Sequence, residues 1–158
     1  MRMSNQLPTR FTIRVYGLII NDQNRVLVTD EFQLNMKMTK FPGGGLDFGE
    51  GTIDCLRREL LEECGQEIDE IHHFYTTDFY QKALFWEDYQ LISVYYMAKL
   101  KKPVVVRISD QAFDFTELKN GNQSFRWIPI EKINSEDFTF PIDKHVAHLL
   151  KEYLNGKS

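Results

Sequence analysis

Apolar positions along this chain switch twice from strand-like runs to helical spacing. Residues 10–20 are rich in β-branched and aromatic side chains and predict a strand. Asn21, Asp22, Gln23 and Asn24 read as a turn, and residues 25–29 as the returning strand. In residues 30–40, Phe32, Leu34, Met36 and Met38 alternate, a pattern open to either strand or loop. Ile53, Leu56, Leu60 and Cys64 then recur at helical spacing and form an apolar stripe. Thr52 is the expected N-cap of that helix, Asp54 falls in its first turn, and Gly65 is placed to end it. Residues 68–80 predict a strand broken near Asp78, and residues 81–88 a loop with exposed aromatics. Residues 90–100 predict a strand, 103–108 a further short one, 109–123 a polar loop and 124–128 a last strand. Residues 142–154 predict an amphipathic helix, with Ile142, Val146, Leu149, Leu150, Tyr153 and Leu154 near one face. Strands and helices interleave as in an α/β or α+β domain.

Composition narrows the class without naming a function. A chain of 158 residues, 42% hydrophobic and 27% charged, is expected to form one domain (residues 1–158) with its own core. The net charge of −4 gives no overall basic footprint, so nucleic acid is not expected as a partner. No apolar run approaches membrane-spanning length and the first residues show no hydrophobic signal region, so a cytoplasmic protein without a membrane partner is expected. Cys55 and Cys64 are nine positions apart on the helix. A separation of about 13 Å at 1.5 Å per residue forbids a disulfide between them, so they read as core or boundary residues.

The helix carries chemistry as well as a stripe. Glu59, Glu62 and Glu63 stand at i, i+3 and i+4 and share one side beside it. Like charges at that spacing cost roughly 0.2–0.5 kcal/mol each, and acids in a last turn face the negative end of the dipole. Arg58 can pair with Glu62, but Glu59 and Glu63 lack an equally obvious local partner. A hard cation held by oxygens would remove the repulsion, and such carboxylates suit magnesium or manganese. Just upstream, Phe41, Pro42, Gly43, Gly44 and Gly45 form a turn whose backbone can approach a ligand closely.

This stretch resembles the Nudix box, G-x5-E-x7-R-E-U-x-E-E-x-G-U, where U is aliphatic. Gly44, Glu50, Arg58, Glu59, Leu60, Glu62, Glu63 and Gly65 match in register, and Gln66 replaces the final U. With each fixed residue at about one position in fifteen by average composition, coincidence is of the order of 10⁻⁸ per start point. Downstream, Phe125, Arg126, Trp127, Ile128 and Pro129 resemble the aromatic-Trp-x-Pro segment that often follows the last core strand of this family. The resemblance implies a Nudix fold of the α/β (α+β) class: a mixed sheet sandwiched between helices, the box helix on one face and the C-terminal helix on the other.

It also implies a metal-dependent pyrophosphohydrolase. The substrate would be a small nucleoside diphosphate linked to another group X: a nucleoside triphosphate, a nucleotide sugar or an ADP-ribose type molecule. Glu59, Glu62 and Glu63 are the implied ligands of Mg²⁺ or Mn²⁺, and the Gly43 carbonyl is a further one. Arg58 would orient the acids, and Glu50 would position Arg58 or a water at the metal. The general base is left between Glu63, Glu59 and a loop acid, with Glu117 the loop candidate and Asp110 and Asp114 its rivals. His72, His73, His145 and His148 are open to a metal role or a structural one, and Arg10, Arg14 and Lys40 to phosphate contact or plain solvation. Phe85 and Trp86 are open to stacking on a base or to core or dimer packing. A homodimer is open too, since many relatives form one.

Two other functions belong to the same fold. A non-catalytic nucleotide or nucleotide-sugar binding module is marked by a degenerate box, whereas this box keeps every charged position. An isoprenoid diphosphate isomerase wants a catalytic cysteine outside the box, and both cysteines lie inside it. The substrate itself is not written in the usual markers: the region where ADP-ribose enzymes carry a proline reads Tyr80, Gln81, Lys82.

Overall fold

The β-branched runs pair as strands because each offers an apolar face, and in two of them both faces, to a helix or to another sheet. A computed structural model describes residues 6–156. Its strands are β1 (Arg10–Ile19), β2 (Arg25–Gln33), β3 (Met36–Lys40), β4 (Gly43–Gly45), β5 (Ile68–Thr76), β6 (Tyr89–Leu100) and β7 (Asn122–Pro129). Its helices are α1 (Thr52–Cys64) and α2 (Pro141–Gly156), the latter preceded by two short 3₁₀ turns.

The strands divide into two sheets rather than one. A mixed four-stranded sheet runs β4-β1-β6-β5, with β1 and β6 parallel and the other pairs antiparallel. A three-stranded antiparallel sheet runs β3-β2-β7. Alternation along β1 sends Val15 and Ile19 to the α1 side, against Leu56 and Leu60. Tyr16 and Leu18 go to the α2 side, with Ile142, Val146 and Leu150. The helices therefore cover opposite faces of the larger sheet, as expected of an α+β Nudix fold. Leu56 and Leu60 are fully buried, and each such side chain contributes about 1.5–3 kcal/mol.

Several local expectations are corrected. The alternating residues 30–40, open to strand or loop in the sequence, form a hairpin: β2 runs on to Gln33 and returns as β3. Its two-residue turn, Leu34 and Asn35, has positive φ at both positions (50° and 58°), the geometry that matches strand twist. Leu34 is a poor advertisement for that geometry, and the sequence hides it for this reason. Asn35 N–H donates to Asn120 Oδ1 at 3.0 Å, so a distant loop props the turn. Residues 103–108 do not form a strand; among them only Ile108 makes a bridge, to Phe125.

The N-cap of α1 is Gly51, not Thr52. Asp54 accepts from the Gly51 N–H at 2.9 Å, while the Thr52 hydroxyl is 2.5 Å from that of Tyr96. Gly65 does end the helix in the left-handed conformation (φ 66°). Ile53 is partly exposed, and Cys55 takes its place in the core. No disulfide links the two cysteines. Among the described residues no helix is long and apolar enough to cross a membrane.

Candidate active site

Two backbone features bring the box together. β4 lies antiparallel to β1, with Gly43 opposite Tyr16 and Gly44 opposite Val15. Gly43 has φ of 148°, and a Cβ there would lie 2.1 Å from the Val15 carbonyl oxygen, so only glycine fits. A Cβ on Gly44 would lie 2.5 Å from the carboxylate of Glu59. The missing side chain is the space in which that carboxylate rests against the strand.

Glu59 and Glu63, one helical turn apart, both face β4. Glu63 Oε2 accepts from the Gly43 N–H at 3.1 Å, and its other oxygen is 3.3 Å from Gln123 Nε2. Arg58 gathers the remaining acids. Its Nε and Nη2 donate to both oxygens of Glu50 at 3.0 and 2.7 Å. Its Nη1 donates to Glu59 at 2.9 Å and Glu62 at 3.3 Å, and Nη2 also reaches the Gly45 carbonyl at 3.0 Å. The paired hydrogen bonds from Arg58 hold the Glu50 carboxyl down to about 2. Glu62 is more exposed than Glu50 and Glu59 and lies toward Arg58 rather than β4.

Residues that the box pattern does not contain complete the cluster. Glu31 on β2 sits across from Gln123 on β7 in register, and Gln123 Nε2 spans from Glu31 Oε2 (3.4 Å) to Glu63. Lys40 Nζ lies 3.4 Å from Glu31, and both side chains are largely buried. Burial pushes Glu63 up to about 7; Lys40 opposes this, while the charges of Glu31 and Glu59 push the same way. Arg14 lies within the field of Glu59 and Glu63, its Nε donating to the Tyr16 hydroxyl at 2.7 Å. The sequence holds one signal for Glu31: Thr29, Asp30 and Glu31 interrupt a strand that is apolar before them, and a polar triplet in such a run marks a place where buried polar groups must find partners.

Other candidates lie elsewhere. The Glu117 carboxylate is exposed and 3.6 Å from Lys119. Asp114 accepts from the Ser109 hydroxyl at 2.7 Å. His148 pairs with Glu152 at 3.1 Å, His73 lies 2.8 Å from the Thr76 hydroxyl, and the His145 ring packs on Tyr75 and Phe79. Cys55 is buried beside the Gly45 carbonyl, and burial raises its thiol to about 12, which leaves it unreactive. Gln66 is buried and satisfied: its Oε1 accepts from the N–H groups of Val105 and Val106 at 2.5 and 3.1 Å.

The arrangement suits a hard cation in its chemistry. Among the described residues, no three acidic, histidine or cysteine side chains stand close enough to grip an ion as they are. Two carboxylates nonetheless converge on one glycine strand, a third lies behind them, and the innermost is driven toward protonation by burial and its like-charged neighbours. Such a set gains from a divalent cation with oxygen preference.

Comparison with known proteins agrees with this geometry. The model of the NUDIX domain matches residues 10–150. An RNA pyrophosphohydrolase of Ruthia magnifica subsp. Calyptogena magnifica is 41% identical over 56 residues, 35% of this chain and 30% of that protein. One of Bartonella bacilliformis is 40% identical over 52 residues, 30% of this chain and 31% of its own length. The chain thus spans about a third of the length of the curated relatives it matches. A NUDIX hydrolase structure from Nitrosomonas europaea superposes with a TM-score of 0.64 at 18% identity, covering 94% of this chain and 91% of that one. A structure from a study of MutT from Aliivibrio salmonicida and Vibrio cholerae gives 0.61 at 23% identity, covering 91% and 99%. At these identities the likeness speaks for the fold.

Proposed function

The chain belongs to the Nudix family, and from that premise we propose that it hydrolyses the pyrophosphate bond of a nucleoside diphosphate linked to another group X. The observation that carries this reading is the Glu59–Glu63 pair packed against a side-chain-free strand, with Arg58 anchored by both oxygens of Glu50. Glu59, Glu63, Glu62 and the Gly43 carbonyl are the residues that would hold Mg²⁺ or Mn²⁺. Such an ion supplies neutralisation of phosphate charge and makes water easier to deprotonate.

The chain's own residues do the rest. Arg58 is a positioning residue: its bond to Glu59 orients that carboxylate, and Glu50 keeps the guanidinium from swinging away. Arg14 and Lys40 bring positive charge to the phosphates from the side opposite α1. A box acid takes the proton from the attacking water, with Glu63 preferred over Glu117, whose carboxylate is turned to Lys119 on an exposed loop.

A substrate panel tests the reading. Phosphate and pyrophosphate release is measured with Mg²⁺ and with Mn²⁺ from nucleoside triphosphates, oxidised nucleotides, nucleotide sugars and ADP-ribose. A 5′-triphosphorylated RNA belongs in the panel because the two partly matching relatives are RNA pyrophosphohydrolases. Metal-dependent release from at least one substrate is expected. Tight nucleotide binding without any release would favour a binding module instead.

A further inference from the structure

The face of β7 that looks toward α1 changes character at one residue. Trp127 and Phe125 belong to the apolar cluster beneath that helix, together with Leu27 of β2. The next position on the same face is Gln123, and opposite it in register stands Glu31. A side chain placed there for packing alone would continue the apolar row.

The Gln123 amide sits among oxygens. Its Nε2 lies 3.0 Å from Thr29 Oγ1, 3.3 Å from Glu63 Oε1 and 3.4 Å from Glu31 Oε2. The Thr29 hydroxyl donates its own proton to Glu31 Oε2 at 3.2 Å, so it faces Gln123 as an acceptor. All three partners therefore accept, and this fixes which way the amide points. Glu31 is held in turn, because Lys40 Nζ lies 3.4 Å from the same oxygen. Thr29 and Glu31 are both buried, so the anchor belongs to the body of the smaller sheet.

Glu63 receives one donor on each oxygen. The Gly43 N–H reaches Oε2 at 3.1 Å, and Gln123 reaches Oε1. Two such bonds set the plane of the carboxylate and leave each oxygen a further lone pair for an ion. The charge of the donor matters as much as its place. A lysine at this position would cancel negative charge that attracts a cation. A glutamate would set another carboxylate between Glu31 and Glu63, where like charges repel. A neutral amide donates to both acids and alters the charge of neither.

We infer that Gln123 is a positioning residue, which fixes the Glu63 carboxylate for a divalent cation by tying it to the Thr29–Glu31 anchor on β2. The metal-binding role of Glu63 comes from the hydrolase reading above, and the inference rests on it.

Binding of Mn²⁺ to the protein without substrate tests it, because that readout needs no turnover. Dissociation constants are measured by electron paramagnetic resonance for wild type, Gln123→Met and Thr29→Val. The first variant keeps the length of the side chain and loses the donor. The second keeps the shape of Thr29 and loses the hydroxyl that orients the amide. Gln123→Met is expected to weaken Mn²⁺ binding about tenfold or more, the usual effect of removing a partner of a metal ligand, and Thr29→Val to weaken it less. Gln123 is half-buried, so its variant should melt close to wild type in the absence of metal. In the activity assay, the Mn²⁺ concentration needed for turnover should rise in parallel, while KM for the nucleotide at saturating metal stays within about twofold. Unchanged Mn²⁺ affinity in both variants overturns the inference, whatever their melting temperatures. So does a wild type that binds no Mn²⁺ at millimolar concentration. Wild-type hydrolysis with Mn²⁺ affinity untouched in both variants removes the role of Gln123 alone. Weakened Mn²⁺ binding without hydrolysis of any panel substrate upholds that role and removes the reaction.

Discussion

Gly44 shows how a single absent side chain sets the site. Replacing it by Ala drives a Cβ into the Glu59 carboxylate, the flexible end of a side chain, so the fold should survive while the acid is displaced. Gly44→Ala is expected to keep its circular dichroism spectrum and lose most of its turnover; wild-type rates would show that Glu59 acts from elsewhere. Glu63→Gln is expected to lower kcat by roughly 10²–10⁴-fold, and Glu117→Gln to leave it within about threefold. The reverse order in a steady-state assay would return the base to the loop. Asp143 gives a pH signature. Its carboxyl rises from 3.8 to about 7 through burial, against the pull of the Tyr95 hydrogen bond and of Lys40 and Arg14; the Tyr16 hydroxyl also lies in its field. Between those two values the native chain keeps a proton that the unfolded chain has lost, so stability is highest below the window and falls as pH rises through it. Asp143→Asn keeps an acceptor for Tyr95 and removes this dependence. Urea unfolding at pH 5 and pH 8 should show a larger loss for wild type than for the variant; equal losses would mean that Asp143 is ionised in the native state.

At the level of elements, the end of α1 depends on two adjacent residues with different physics. Gly65 holds a left-handed backbone with open space around it, so Gly65→Ala meets no clash and costs about 1 kcal/mol in conformation alone. Gln66 occupies a position where the family pattern has an aliphatic residue. Its amide ties the loop at Lys101 to Val106 onto the helix end by three hydrogen bonds. Gln66→Leu would restore the pattern yet leave the Val105 and Val106 N–H groups unpaired, a loss of roughly 1–3 kcal/mol. A melting temperature unchanged or raised in Gln66→Leu would show that this loop pairs in some other way. The β2–β3 hairpin is the other element with consequences for chemistry, because it carries Glu31 and Lys40 into the cluster.

Across the whole molecule, the cluster draws on residues from the hairpin, the glycine strand, the box helix and β7, so an ion selective for it should stabilise the entire native state. At a hundredfold excess over its dissociation constant, Mg²⁺ is expected to add about 2.7 kcal/mol, or roughly 5–10 °C in Tm for a chain of this size. No shift at millimolar metal, in a sample that also lacks activity, would count against a working site. The sequence alone determined the box helix, its glycine terminator, most strands, the C-terminal helix and the acids from Glu50 to Glu63, because periodicity and motif spacing are local properties. Only the tertiary structure decided that Glu59 and Glu63 turn to β4 while Glu62 turns to Arg58. It alone recruited Glu31 and Gln123, and it made a paired, buried anchor of Gln66. These outcomes depend on strand register and on which face of each strand meets which helix, and no window of neighbouring residues contains that information.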